Sequence, residues 1–191
     1  EQNVSVDVQQ VTPTLAVSAS PSQAGYGETV TTTVTATVGN RSVPSLPLTA
    51  TFGGVTRTGV TNASGVTRIA HRVPAAVSPG EQSVAVRQGR ANRAIAPITE
   101  TTTVSVLSTP TTLSVAADRV GSRVVIEGQL RTEGGTRIPN QSVSVAVGES
   151  VQTVATNESG WYRTSVRNVT GTAGENASAV PVTARFDAAG G

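Results

Sequence analysis

Apolar and polar residues alternate along most of the chain. "LAVSA", "TVTTTVTATV", "LPLTATF", "VTRIAHRV" and "QSVAVRQ" set Val, Leu, Ile, Phe or Ala at every second position, the period of a strand with one buried face. Val and Thr dominate these stretches, and their branched side chains suit a pleated, half-buried surface. Clusters such as "NASG" and "NESG" punctuate the strands; Asn accepts local hydrogen bonds and Gly accepts positive φ, so both clusters are predicted as hairpin turns. No segment shows an apolar stripe at helical spacing or a run long enough to cross a bilayer. The pattern predicts an all-β chain.

The pattern also repeats. "VPSLPLTATFGGVTRTGVTNASGVTR", Val43 to Arg68, lies over "IPNQSVSVAVGESVQTVATNESGWYR", Ile138 to Arg163, at a constant offset of 95 residues. Leu48, Ala50 and Phe52 then match Val143, Val145 and Val147, and this alternating set is predicted to face a core. Upstream the offset is 94, so that Val30, Thr32, Val34 and Ala36 keep the parity of Val124, Ile126, Gly128 and Leu130. A longer turn at "TEGGTR" accounts for the extra residue. A tandem repeat of short strands and turn clusters is the signature of antiparallel sandwiches. Burying one of these Val or Leu side chains contributes roughly 1.5–3 kcal/mol, enough in sum for each repeat to stand without metal or disulfide.

The two copies end differently. After "SPGEQSVAVRQ" the first continues to a closing strand near Thr101 to Leu107, whereas after "SAVPVTARFD" the second has only "AAGG". At the other end, "NVSVDV" precedes "TPT" much as "TTVSVL" does before the second copy. A surplus strand at the start thus matches the strand lacking at the end. The expected organisation is an N-terminal donor strand over residues 1–11, a first domain over 12–108, and an incomplete acceptor domain over 109–191. Val4, Val6 and Val8 are the candidate inward-facing donor residues, with Ser5 and Asp7 facing out.

Composition removes most chemistry. The chain has no Cys, and all 14 basic residues are Arg, so disulfides, thiol catalysis and Lys–Asn cross-links are excluded. Net charge is +2, with the arginines scattered and aromatic residues at 3%; a nucleic-acid surface needs a basic stripe with stacking rings. His71, the one histidine, aligns with Val166 on a predicted strand and reads as a residue of a half-buried face. Without a second His or a Cys no zinc set is available, and the acids are isolated, Glu127 and Glu133 being the nearest to a pair. A Ser-His-Asp triad would have to be built on His71 alone. No enzyme, cofactor or metal site is expected. Trp161, beside "NESG", is read first as a half-buried strand residue, with stacking on sugar or a neighbouring molecule as the alternative.

Asparagine carries more information. Of the eight Asn, seven open an Asn-X-Ser/Thr sequon: Asn3, Asn40, Asn62, Asn140, Asn157, Asn168 and Asn176. With Ser and Thr about a quarter of the chain, chance supplies about two. The expectation is N-glycosylation of an extracellular protein, with plain turn chemistry able to explain one or two sites. No signal-like segment opens the sequence, so its numbering is expected to start at a mature N-terminus.

"TNASGVTRI" and "TNESGWYRTSV", each preceded by "VP" or "IP" and a strand, resemble the immunoglobulin-like repeats of bacterial and archaeal surface proteins. Those repeats include the invasin/intimin type and the carboxypeptidase-regulatory-like module, and carry Thr-(Asp/Asn)-X-X-Gly before an aromatic or apolar residue. Tyr162 falls at their core aromatic position; Thr67 in the first copy departs from it. The resemblance implies two tandem immunoglobulin-like β-sandwiches at the cell surface. It extends to archaeal filaments whose glycosylated subunits join by donor strands, which implies identical subunits in a head-to-tail polymer, with no nucleic acid and no membrane insertion of this chain. The alternatives are a spacer segment of a larger surface or adhesive protein, and a carbohydrate- or receptor-binding module.

Overall fold

The computed structural model describes residues 7, 9–88, 94–121, 123–167 and 180–187. Among them every regular element is a strand. The chain divides between Ser108 and Thr109 into two units. Unit 1 contains β1 (Thr14–Ser20), β2 (Gln23–Ala24), β3 (Thr29–Val38), β4 (Arg41–Ser42), β5 (Pro47–Phe52), β6 (Val55–Val60), β7 (Val66–Arg72), β8 (Gly80–Gln88) and β9 (Ile98–Val106). Unit 2 contains β10 (Thr111–Leu113), β11 (Ala116–Val120), β12 (Arg123–Thr132), β13 (Ser142–Val147), β14 (Ser150–Ala155), β15 (Trp161–Arg167) and β16 (Val182–Arg185).

Unit 1 is a sandwich of two sheets. In one, β3 is flanked by β1 on one side and by β7 and β4 on the other; the second runs β2-β9-β8-β5-β6. The strands pair antiparallel except β2 with β9, which is parallel, as is the isolated bridge of Val11 with Ile95; alternation alone did not predict that short crossing strand. Leu48, Ala50 and Phe52 are buried, as are Val30, Thr32, Val34 and Ala36, so one face of each strand builds the core that its period implies. Unit 2 repeats the plan: β12 lies between β15 and the β10/β11 pair, and the facing sheet is β14-β13-β16. Val143, Val145 and Val147 are buried there.

The change of offset has a physical location. Val43 N–H donates to Ala36 O at 3.0 Å, and Ile138 N–H donates to Leu130 O at 3.2 Å. Unit 1 makes this return through the two-residue turn Gly39-Asn40, closed by Val38 opposite Arg41. Unit 2 uses one residue more, closed by Thr136 O accepting from Thr132 N–H at 2.8 Å.

The "NASG" and "NESG" segments are not hairpin turns. They join β6 to β7 and β14 to β15, strands of opposite sheets, so each is a corner. A corner leaves main-chain groups without ladder partners, and here side chains supply them. Buried Thr61 Oγ1 donates to Val43 O at 2.7 Å and accepts from Leu46 N–H at 2.8 Å; Thr156 Oγ1 does the same with Ile138 O and Gln141 N–H, both at 2.9 Å. Asn62 Oδ1 accepts from Ser64 and Val66 N–H, and Asn157 Oδ1 from Ser159 and Trp161 N–H, at 2.9–3.0 Å. Gly160, at φ 73°, comes so close to Leu130 O that a Cβ there would lie 2.7 Å away. The Thr-Asn-X-Ser-Gly motif is therefore structural in both copies.

The copies differ in one compensated core pair. Gly128 lies opposite Tyr162 across β12 and β15, where unit 1 has Val34 opposite Thr67. A Cβ on Gly128 would sit 2.0 Å from Ser114 O and 2.6 Å from Tyr162 Oη. The Tyr162 ring fills the space the glycine leaves, and its hydroxyl donates to Ser114 O at 2.7 Å, in the gap between β10 and β11. Burial raises the Tyr162 pKa, so it stays a neutral donor.

His71 is fully buried rather than half-buried, at 2% exposure. Its Nε2 lies 3.0 Å from Ala50 O, its ring meets Phe52 edge-on, and Nδ1 has no partner. Burial lowers its pKa most; the Ala50 hydrogen bond and a weaker interaction with the Val55 backbone, too loose to count as a hydrogen bond by distance and angle, oppose this, and the Arg57 charge adds to it.

Two predictions follow from these cores. Gly128→Ala destabilises unit 2 by about 1–3 kcal/mol while leaving the unit 1 transition in place, measured by calorimetry of the full chain; adding Tyr162→Thr recovers part of the loss. For His71, the unfolded chain takes up its proton first as pH falls below about 6.5. Unit 1 therefore loses stability on the acid side of that value. His71→Val removes this loss below about pH 6.5, read from melting temperature against pH.

Candidate functional site: a bare sheet edge in unit 2

The sheets that should correspond have different widths. In unit 1, β8 is covered on its outer side by β9, and β9 in turn by β2. In unit 2, β16 stands where β8 does, pairing with β13 through Val145–Ala184 and Val147–Val182. Among the described residues no strand lies on the outer side of β16. An uncovered edge presents a row of unpaired N–H and C=O groups, a template for another strand.

Side chains register the same vacancy. Val84 and Val86 of β8 are each 0% exposed, and Val104 and Val106 of β9 close over the core beside them. Their counterparts Val180, Val182, Ala184 and Phe186 are only half-buried. On the facing sheet, Val17 and Ala19 pack against the unit 1 core. Val115 and Ala117, which occupy those places in unit 2, are exposed, Val115 at 45%. Among the described residues fifteen buried apolar side chains form the first core cluster and six form the second. The walls of this edge are thus apolar on both sheets: Val115 and Ala117 on one, Val180, Val182 and Ala184 on the other.

The link between the first two strands matches this. Unit 1 spends eight residues between β1 and β3, two of them making β2; unit 2 passes from Val120 to Arg123 as a tight hairpin. In unit 1, β2 serves to pair with β9; among the described residues of unit 2 neither strand has a counterpart. That shortening was present in the sequence as a change of offset ahead of "GSRVV", a signal that alternation alone does not reveal.

The proposed donor residues Val4, Val6 and Val8 lie outside the described residues, as do Asn3, Asn168 and Asn176. Asn40, Asn62, Asn140 and Asn157 are all exposed. Trp161 is 46% exposed, opposite Gln129; Tyr162 turns to the core, so among the described residues no second ring stands beside Trp161 to make a stacking platform. Glu127 faces Arg163, at 3.8 Å and in solvent, and Glu133 lies in a turn. No group of three metal-ligating side chains occurs among the described residues, and no helix is long and apolar enough to cross a membrane.

Known proteins place this architecture. Residues 12–106, just under half of the chain, match the family model of the archaeal bacterial Ig-like domain. The adhesin InvE of Yersinia pseudotuberculosis superposes with a TM-score of 0.52 at 18% identity, over 82% of this chain and 52% of the adhesin chain. The chain thus spans about half the length of that protein. The D0-D1 domain of intimin (14% identity, 90% of this chain, 98% of that one) and a Salmonella alpha-2-macroglobulin mutant (12%, 94% and 16%) have TM-scores of 0.37 and 0.40, too low to bear on the fold. No curated protein sequence matches the chain. The pairing pattern, the repeat, the family match and the adhesin superposition together make the chain two immunoglobulin-like β-sandwiches in tandem.

Proposed function

We propose that this chain is a structural segment of an extracellular surface assembly, and that the bare edge of unit 2 is an acceptor for a β-strand from a second copy. The observation that carries this reading is the outer edge of β16, which no strand covers among the described residues, with its half-buried Val180, Val182 and Ala184. Strand addition satisfies the edge through main-chain hydrogen bonds, and alternate side chains fill the apolar slot. The segment "NVSVDV" has the composition and period for this, matching "TTVSVL" of β9: Val4, Val6 and Val8 enter the slot, and Ser5 and Asp7 remain outside.

The way the N-terminal segment leaves unit 1 supports a head-to-tail arrangement. Val11 N–H donates to Ala94 O and Val11 O accepts from Ala96 N–H, both at 2.8 Å, just ahead of the first residue of β9. The chain departs toward unit 2 from the other end of that strand, roughly 30 Å away at the usual rise per residue. Donor and exit therefore belong to opposite ends of unit 1, and a head-to-tail contact that does not close propagates as a fibre. Three valines contribute on the order of 5–9 kcal/mol before association and ordering costs.

The second reading is a spacer in a longer surface or adhesive protein, with the covering strand drawn from polypeptide beyond residue 191. The 52% coverage of the adhesin chain favours it. The two readings separate in solution. With a donor from another copy, sedimentation of the full chain shows oligomers growing with concentration. Deleting residues 1–10 gives a monomer whose unit 2 melts early, and the free peptide "QNVSVDVQQV" raises that transition by about 5 °C or more. Peptide with Asp in place of Val4, Val6 and Val8 has no effect. A chain that stays monomeric at high concentration, with unit 2 indifferent to the deletion and stabilised only by extension past residue 191, overturns the first reading and leaves the spacer.

A further inference from the structure

The corner of unit 2 carries a residue that the corner of unit 1 lacks. Asn62 and Asn157 close their corners alike, Oδ1 accepting from the N–H groups two and four residues further on. The residue four further on is Val66 in unit 1 and Trp161 in unit 2. Each stands opposite an outward-facing residue of the central strand, Thr35 on β3 and Gln129 on β12, and residues directly opposite share a sheet face. Trp161 therefore lies on the outward face of unit 2, 46% exposed.

That face and the corner are joined. Gln129 Nε2 donates at 2.7 Å to Ser159 O, inside the corner, and Gln129 Oε1 accepts from Arg131 Nε at 2.7 Å. A glutamine on an outward face is normally solvated, yet Gln129 is only 7% exposed. Asn157 is held as closely to Trp161: its N–H donates to Trp161 O at 2.8 Å, and its Oδ1 accepts from Trp161 N–H at 3.0 Å. These bonds occupy Oδ1 and not the nitrogen to which a sugar attaches, and Asn157 is exposed. A pyranose with equatorial hydroxyls presents a bare C–H face, whose apolar surface packs on an indole. One ring is a poor platform for a free sugar, but a sugar linked to Asn157 is held beside it at high effective concentration.

We infer that the first sugar on Asn157 lies on the Trp161 indole, folded over the outward face of β12 and β15 instead of projecting into solvent. This rests on the reading of the sequons as glycosylation sites and adds the place where one sugar comes to rest. Trp161 is the one tryptophan of the chain, so its fluorescence reports this contact directly. The full chain is produced in a host whose linking sugar is N-acetylglucosamine and trimmed to that single sugar. It is compared with the same chain from a host that adds none, and with Ser159→Ala, which destroys the sequon while retaining Asn157 and the main-chain groups of Ser159. Acrylamide quenches Trp161 at least ~2-fold more weakly in the glycosylated parent than in either. Ser142→Ala, which removes the Asn140 sequon, behaves as the parent. The mass of the peptide containing residue 157 reports its sugar. Unmodified Asn157 in the parent overturns the glycosylation reading at this site, and the inference with it. Sugar present with equal quenching in parent and Ser159→Ala overturns the stack alone, as does protection lost in Ser142→Ala instead.

Discussion

A β-strand at the border of a core must satisfy two demands at once: partners for its outward N–H and C=O groups, and cover for the apolar side chains beneath it. β8 meets both with β9, and β9 with β2. β16 meets them on one side only among the described residues. The exposure of Val115, the incomplete burial of Val182 and the shortened β11–β12 hairpin all follow from that one unmet requirement.

Elsewhere the two copies show how one fold absorbs different residues. Val34 with Thr67, and Gly128 with Tyr162, fill equivalent space across equivalent strands. The second solution needs glycine, because the ring and Ser114 O occupy the volume of a Cβ. It also interrupts the first strand, giving β10 and β11 in place of a continuous β1, and the tyrosine hydroxyl satisfies the carbonyl exposed by the break. His71 is a milder case. A buried imidazole with one orphaned nitrogen stands where the other copy has Val166, held by Ala50 O and the edge of Phe52.

The corners illustrate economy of a different kind. Thr61 and Asn62, with Thr156 and Asn157, use side-chain oxygens to replace the ladder bonds lost where the chain changes sheet. Two of the seven sequons are thereby explained without any sugar. Asn40 and Asn140 lie beside the corners rather than within them, Asn140 at a positive φ of 56° that asparagine tolerates.

Much of this was legible in the chain itself. Alternation assigns a strand and its inward face because the side-chain period is two whatever the partner is; Leu48, Ala50 and Phe52 show it, and so do Val143, Val145 and Val147. The repeat fixes equivalence, since a constant offset needs no structure to be read. Pairing is another matter. Whether "NASG" closes a hairpin or turns a corner, whether Gln23 and Ala24 cross to lie parallel to β9, and how deeply His71 is buried depend on contacts between residues far apart in sequence, which local pattern does not encode. The edge of unit 2 lies between the two: the alternation of Val180, Val182 and Ala184 is legible in the chain, but that β16 pairs only with β13 among the described residues, with Val115 and Ala117 on the facing sheet, was decided only when the strands came together.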